Sequence, residues 1–296
     1  MSDILLLSGH DIDVLQSAKI NADIQNVYKA GFLYKIFKRS KYTLPICFEN
    51  WKNHIKSFKT IIVFDTYYND GLAEYIYHQN NDIRLIFYCW NTISDISKRI
   101  NIDKVFKDKR IEIWSYNRLD CQKYHMKYNP QFWNKMLIPS KSLENKYDIV
   151  FIGSPKNRMD ELQFVYKKCG SEKLRTYFYL TGCKCEFNKN INNEFLPYKN
   201  YVSEIANNSN IILDLVSDEN YGLTLRPLEA IFLRKKIITN YFDIVHEPFY
   251  DVSNVFLLGK DDRSFSEFLN TPYREIDSKV IDYYDCVEWI KRFERL

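Results

Sequence analysis

No apolar run in these 296 residues approaches the roughly 18 needed to span a bilayer, so the chain is not expected to cross a membrane by itself. Three glycine signatures are missing as well. There is no Gly-x-Gly-x-x-Gly turn, no Gly-x-x-x-x-Gly-Lys-Ser/Thr loop and no Gly-x-Ser-x-Gly elbow, which argues against a dinucleotide oxidoreductase, a P-loop phosphotransferase and an acyl-transfer hydrolase. Concentrated charge is also lacking: 42 Lys+Arg against 38 Asp+Glu leave a net +4, too little for wholesale nucleic-acid binding, while a mildly anionic partner stays open. The seven cysteines are odd in number and scattered, and the chain opens on Met-Ser-Asp without a leader, so the expected setting is a reducing cytoplasm. Cys183 and Cys185 form a lone Cys-x-Cys without a second pair or a nearby His pair, and no metal site is expected there.

What is present is a globular composition, with 46% hydrophobic and 27% charged residues, on a chain long enough for two modest domains. Continuous apolar runs at 4–7, 60–64, 84–88 and 111–114 alternate with amphipathic stretches. They read as parallel strands covered on both faces. Asp11 can cap a helix carrying Ile12, Leu15, Val27, Leu33 and Phe37, broken near Gly31. After a polar linker at 140–146 a second series follows, with strands at 148–152, 177–180, 211–215, 236–239 and 255–258 and a helix at 159–169. The expected class is α/β, with two Rossmann-type parallel-sheet domains facing a cleft: 1–140, 147–280, and a helix over 281–296 packing back across the junction.

In open parallel sheets ligands sit beyond the carboxyl ends of the strands, so the connections after the strands hold the candidate site. In Gly153-Ser154-Pro155-Lys156-Asn157-Arg158 a strand ends on a glycine that lets the backbone approach a ligand, and two cations follow. That suits a diphosphate, although an ordinary strand-to-helix turn with solvated cations reads the same way. After the strand ending near Leu215, an acidic turn leads through Gly222 to a helix with an early Pro227. Free N–H groups at that helix start, with the hydroxyl of Thr224 and the charge of Arg226, can take phosphate oxygens. Glu229, about a turn in, can accept both hydroxyls of a ribose. At the first strand's end, Gly9 makes room and His10 is placed to meet an acceptor, whereas Asp11 reads as a helix cap. Trp90 and Asn91 are similar candidates, the indole as a face for a sugar ring or simply as core.

The order Glu219, Tyr221-Gly222-Leu223, Glu229-Ala230, then Lys235 to Thr239 resembles the donor-site signature of small bacterial GT-B glycosyltransferases of lipopolysaccharide and capsule synthesis. Their group-1 retaining members place seven residues between two glutamates; here nine separate Glu219 from Glu229. The resemblance implies a nucleoside-diphosphate sugar as donor substrate with no other cofactor, Glu229 at the ribose and Glu219 at the reaction centre. It also implies Gly153, Ser154, Lys156 and Arg158 at the pyrophosphate, alongside Tyr221, Gly222, Leu223, Thr224 and Arg226. The catalytic set is then Glu219, Arg158, Arg226 and His10, with Gly9, His10, Trp90 and Asn91 for a glycan or lipid-linked acceptor. Transfer without a metal and with retention is the expectation. A sugar-nucleotide epimerase or a non-catalytic partner in polysaccharide assembly are the rival readings. Residues 28–42 interleave Lys29, Lys35, Lys38, Arg39 and Lys41 with aromatic and aliphatic side chains, as on a helix at an anionic membrane surface or on a core helix with a basic outer face.

Overall fold

In a computed structural model of the chain, the structure describes residues 2–9, 13–15, 17–29, 45–140, 145–182, 196–217 and 222–294. The chain divides into two compact units, Met1–Pro130 with Trp289–Leu296, and Gln131–Glu288. The division thus falls at Pro130, ahead of the polar stretch at 140–146, and the last residues belong to the first unit.

The first unit holds a six-stranded parallel sheet in the order β2-β1-β3-β4-β5-β6. Its strands are β1 (Ile4–Ser8), β2 (Asp23–Asn26), β3 (Thr60–Phe64), β4 (Arg84–Cys89), β5 (Ile111–Ser115) and β6 (Lys127–Tyr128). Helices α1 (Asp70–Gln79), α2 (Ile93–Ser97), α3 (Ile102–Lys107) and α4 (Arg118–Tyr124) lie in the connections. Each starts on a side-chain cap, supplied by Asn69, Thr92, Asn101 and Asn117, which satisfies an otherwise unpaired first-turn N–H. One expectation fails here. Val27 is not on a helix that begins at Asp11, because residues 23–26 pair in parallel with β1 and the Val27 N–H donates to the Ser8 carbonyl at 2.9 Å. As a half-buried edge strand, Asp-Ile-Gln-Asn shows no continuous apolar run, so periodicity alone could not reveal it. Trp289 and Phe293 from the chain end pack edge-on against Tyr88 and Trp114 and complete this core.

The second unit holds a five-stranded parallel sheet, β11-β10-β9-β7-β8. Its strands are β7 (Tyr147–Gly153), β8 (Thr176–Leu180), β9 (Ser209–Asp214), β10 (Lys236–Thr239) and β11 (Val255–Leu257). Helices α5 (Met159–Ser171), α6 (Leu225–Leu233), α7 (Phe265–Asn270), α8 (Ser278–Tyr283) and α9 (Cys286–Lys291) follow, α9 running into the terminal residues. Ile149, Phe151, Phe178, Ile211 and Leu213 from the strands close on Leu162, Val165 and Cys169 of α5 and on Phe265 and Phe268 of α7. In both sheets the first strand sits between the second and the third. Each therefore has a point where successive connections diverge to opposite sides, between β1 and β3 and between β7 and β9. Such a divergence opens a crevice at the carboxyl ends.

On one face of the first sheet, Glu112 of β5 takes Arg84 of β4 in two bonds of 2.7 and 2.9 Å and Lys127 of β6 at 3.0 Å. The Arg84 bonds outweigh partial burial and, with Lys127, hold the Glu112 carboxyl at about 2, below its ordinary 4.5. A carboxyl held low in the folded state stabilises fully above its unfolded pKa and loses that contribution as pH falls through the folded one. Glu112→Gln is expected to be less stable than wild type near pH 6, with the gap closing between about pH 4.5 and 2 in urea titrations; a pH-independent gap would contradict this ladder.

Candidate functional site

At the divergence point of the second sheet, β7 ends on Gly153. Its φ of +144° lies where side chains are strained, and an added Cβ would stand 2.9 Å from Nη2 of Arg226. The glycine is thus needed for backbone conformation and for the passage of Arg226. That guanidinium donates to the Ile152 carbonyl and lies 5.2 Å from the Phe151 ring centroid. Ser154 and Pro155 lead through exposed Lys156, in a left-handed conformation with φ 46°, to Arg158 at the start of α5. Arg158 folds back on its own turn, donating to the carbonyls of Ser154 at 2.7 Å and Pro155 at 3.3 Å and across to that of Leu215 after β9. Burial, then the charge of Arg226, lowers its pKa. Among the described residues, neither guanidinium lies within ion-pair distance of a carboxylate. Two like charges are therefore held near each other by carbonyls, with N–H hydrogens to spare on both.

β9 ends on Asp214, whose carboxylate is fully buried and accepts from the hydroxyls of Thr224 at 2.8 Å and Thr239 at 3.2 Å. Burial raises its pKa; Arg226, the two hydroxyls and Arg158 oppose that rise. Thr224 caps α6, accepting from the Arg226 N–H at 3.3 Å. The single hydroxyl hydrogen of Thr224 goes to Asp214. The first turn of α6 is also poorer in donors than the sequence suggested, since the Arg226 N–H goes to the cap and Pro227, third in the helix, has none. Gly222 and Leu223 precede it as buried residues.

Glu229 lies in the second turn of α6, 3% exposed. Its carboxylate accepts from Tyr198 at 2.8 Å and Tyr201 at 2.6 Å, and the Tyr198 oxygen accepts from Trp133 Nε1 at 2.7 Å. Burial raises its pKa, offset by Arg226 and the two phenols. Each carboxylate oxygen keeps a further lone pair. Tyr198, Tyr201 and Trp133 were not anticipated; tyrosine is too common in this chain for any one to stand out.

In the first unit, Gly9 follows β1 at its divergence point, and a Cβ there would overlap the ring of Tyr67 at 2.0 Å. Just beyond β3, Asp65 is 1% exposed and accepts from the backbone N–H groups of Trp90 at 2.6 Å and Asn91 at 3.3 Å. The Asn91 amide at 2.9 Å and Arg99 complete its set. Trp90 stands edge-on to Phe64 at 5.3 Å and is half-buried, so its indole is both core and rim. Trp90 and Asn91, neighbours in the chain, are thus both tied to Asp65, a carboxylate the sequence reading missed. An acidic residue directly after an apolar run was the available signal for Asp65, as for Asp214. His10, Glu219, Tyr221 and residues 30–44 lie outside the described residues, as do Cys183 and Cys185. The other five cysteines are buried free thiols. No group of metal-ligating side chains and no membrane-spanning helix occurs among the described residues.

Two Rossmann-type parallel-sheet domains in one chain define a fold of the GT-B type. Over its whole length the chain is similar to the sucrose-phosphate synthase of Thermosynechococcus elongatus, with a TM-score of 0.56, 8% identity and 98% of that chain covered. It also matches the glycosyltransferase AviGT4 of avilamycin A biosynthesis, with TM-score 0.47, 10% identity and 98% and 95% of the two chains covered. A third match is TarM of S. aureus, solved with UDP, with TM-score 0.44, 14% identity and 79% and 54% covered. No family model matches the sequence, and no curated protein does.

The Thr224 cap can be tested alone. Thr224→Ala should cost about 1 kcal/mol as a lost helix cap and about 1–3 kcal/mol more for the buried Asp214 oxygen left unpartnered. Thr224→Ser should stay near wild type in urea denaturation. Equal stability of Thr224→Ala and wild type would rule out the shared role.

Proposed function

We propose that the chain is a glycosyltransferase that takes its sugar from a nucleoside-diphosphate donor bound at the carboxyl ends of β7 and β9. One observation carries the reading: Arg158 and Arg226 stand near each other at the divergence point of the second sheet, fixed by carbonyls and, among the described residues, with no carboxylate within ion-pair distance. Repulsion between them falls when a dianion lies across both, and the arrangement suits a diphosphate more than a neutral ligand. Lys156 on the same turn adds a third cation. In glycosyl transfer, negative charge grows on the departing diphosphate, so cations fixed in advance stabilise the transition state more than the bound donor. They take the role a divalent ion would fill, and the reaction is proposed to need none. Glu229 takes the ribose hydroxyls on the lone pairs its tyrosines leave.

The acceptor is assigned to the first unit, at Gly9, His10, Trp90 and Asn91, with Asp65 ordering the last two. By its resemblance to lipopolysaccharide and capsule enzymes, the acceptor is a surface glycan or its lipid-linked precursor, and transfer retains configuration through Glu219, which product anomer analysis would check.

A thermal-shift screen against UDP-, GDP-, dTDP- and CMP-sugars tests the donor. One class should raise the melting temperature in step with RT ln(1 + [L]/Kd), and Arg226→Ala should lose most of that rise. A flat wild-type profile across all four would remove the reading. For the lipid-linked acceptor, sedimentation with anionic vesicles is expected, weakening with salt and on changing Lys35, Lys38, Arg39 and Lys41 to Gln; wild type that stays in the supernatant would favour a free glycan.

A further inference from the structure

Asn240 directly follows β10, and its side-chain amide grips one residue of the neighbouring connection. Oδ1 accepts from the Val216 N–H at 2.7 Å, and Nδ2 donates to the Val216 carbonyl at 3.1 Å. Pairing of β9 with β10 closes at the register Thr239 to Asp214. Beyond that point the two backbones no longer pair. A side-chain amide offers the same donor and acceptor as a peptide, so Asn240 adds one rung where the ladder has ended. One residue earlier, the Leu215 carbonyl accepts from Arg158. Residues 215 and 216 are thus fixed from two sides, by a side chain from the connection after β7 and by one from the connection after β10.

That carbonyl is one of three that hold the Arg158 guanidinium, and the one among them that comes from outside its own turn. If residues 215–217 drift, Arg158 loses its tie to the β9 side of the site and keeps only the two carbonyls of its own turn. We propose that Asn240 is a positioning residue for the diphosphate site, setting the register of the β9 connection so that Leu215 fixes Arg158. This rests on the donor reading above, and it assigns a role to a residue that touches neither guanidinium.

Inorganic pyrophosphate is the probe, titrated by calorimetry at low ionic strength, because it presents the diphosphate without base or sugar. Wild type should bind, and Asn240→Ala should bind roughly tenfold more weakly. Amide hydrogen exchange supplies a second readout. In Asn240→Ala the Val216 amide should exchange faster while those of β7 and β9 stay protected. Asn240→Ser is shorter and uncharged and cannot span both Val216 groups, so it should also free the Val216 amide and weaken pyrophosphate without adding a negative charge. Should Asn240→Ala not fold, Asn240→Ser carries the affinity test. Folded wild type that ignores pyrophosphate would overturn the donor reading and this inference with it. Wild type that binds, with a variant that binds equally well, would overturn the positioning role alone.

Discussion

A carboxylate stripped of water must be compensated from within the protein, and Asp214 is stripped completely. Two threonine hydroxyls and the positive charges of Arg226 and Arg158 provide the compensation. The two hydroxyls are thereby fixed, Thr224 at the start of α6 and Thr239 at the end of β10, while the arginines are held by carbonyls. Glu229 also lies within electrostatic reach of Arg226, so the two arginines face two buried acidic groups. A network built this way is ordered by its own side chains.

The same device occurs in each sheet. Counting strands within each unit, the third ends on or just before a buried aspartate, Asp214 at the end of β9 and Asp65 directly after β3. Each aspartate reaches to the end of the fourth strand, where it holds Thr239 in one unit and Trp90 and Asn91 in the other. The first strand of each ends on a glycine, or just before one, where a Cβ would meet a neighbour: Arg226 at Gly153 and Tyr67 at Gly9. A parallel sheet leaves unpaired backbone at its carboxyl edge, and short polar side chains there tie the connections together. Asn240 extends this logic by one residue.

Much of the fold was legible because interior strands of a parallel sheet are buried on both faces, so β3, β4, β7 and β10 read as bare apolar runs. The edge strands β2 and β6 were not legible. They are short and half-exposed, and their residues resemble a loop. Gly153, Arg158, Arg226 and Glu229 could be picked out because residue type and position relative to a strand end were enough. Asp65 carried a signal, an acidic residue directly after an apolar run, but its partners lie 25 or more residues on; Tyr198, Tyr201 and Trp133 carried none, and their partners are 28 or more residues away.

The sequence by itself determined where strands and helices alternate, that the sheets are parallel, and which connections carry cations and glycine, since apolar runs and turn residues act over a few neighbours. Tertiary structure alone decided what those groups do. Whether the Thr224 hydroxyl points at a phosphate or at Asp214, whether Arg158 hangs free or holds three carbonyls, and whether Glu229 is open or met by two phenols all depend on atoms from distant segments. Hydrogen bonds are set by distance and direction in space, and sequence separation carries neither.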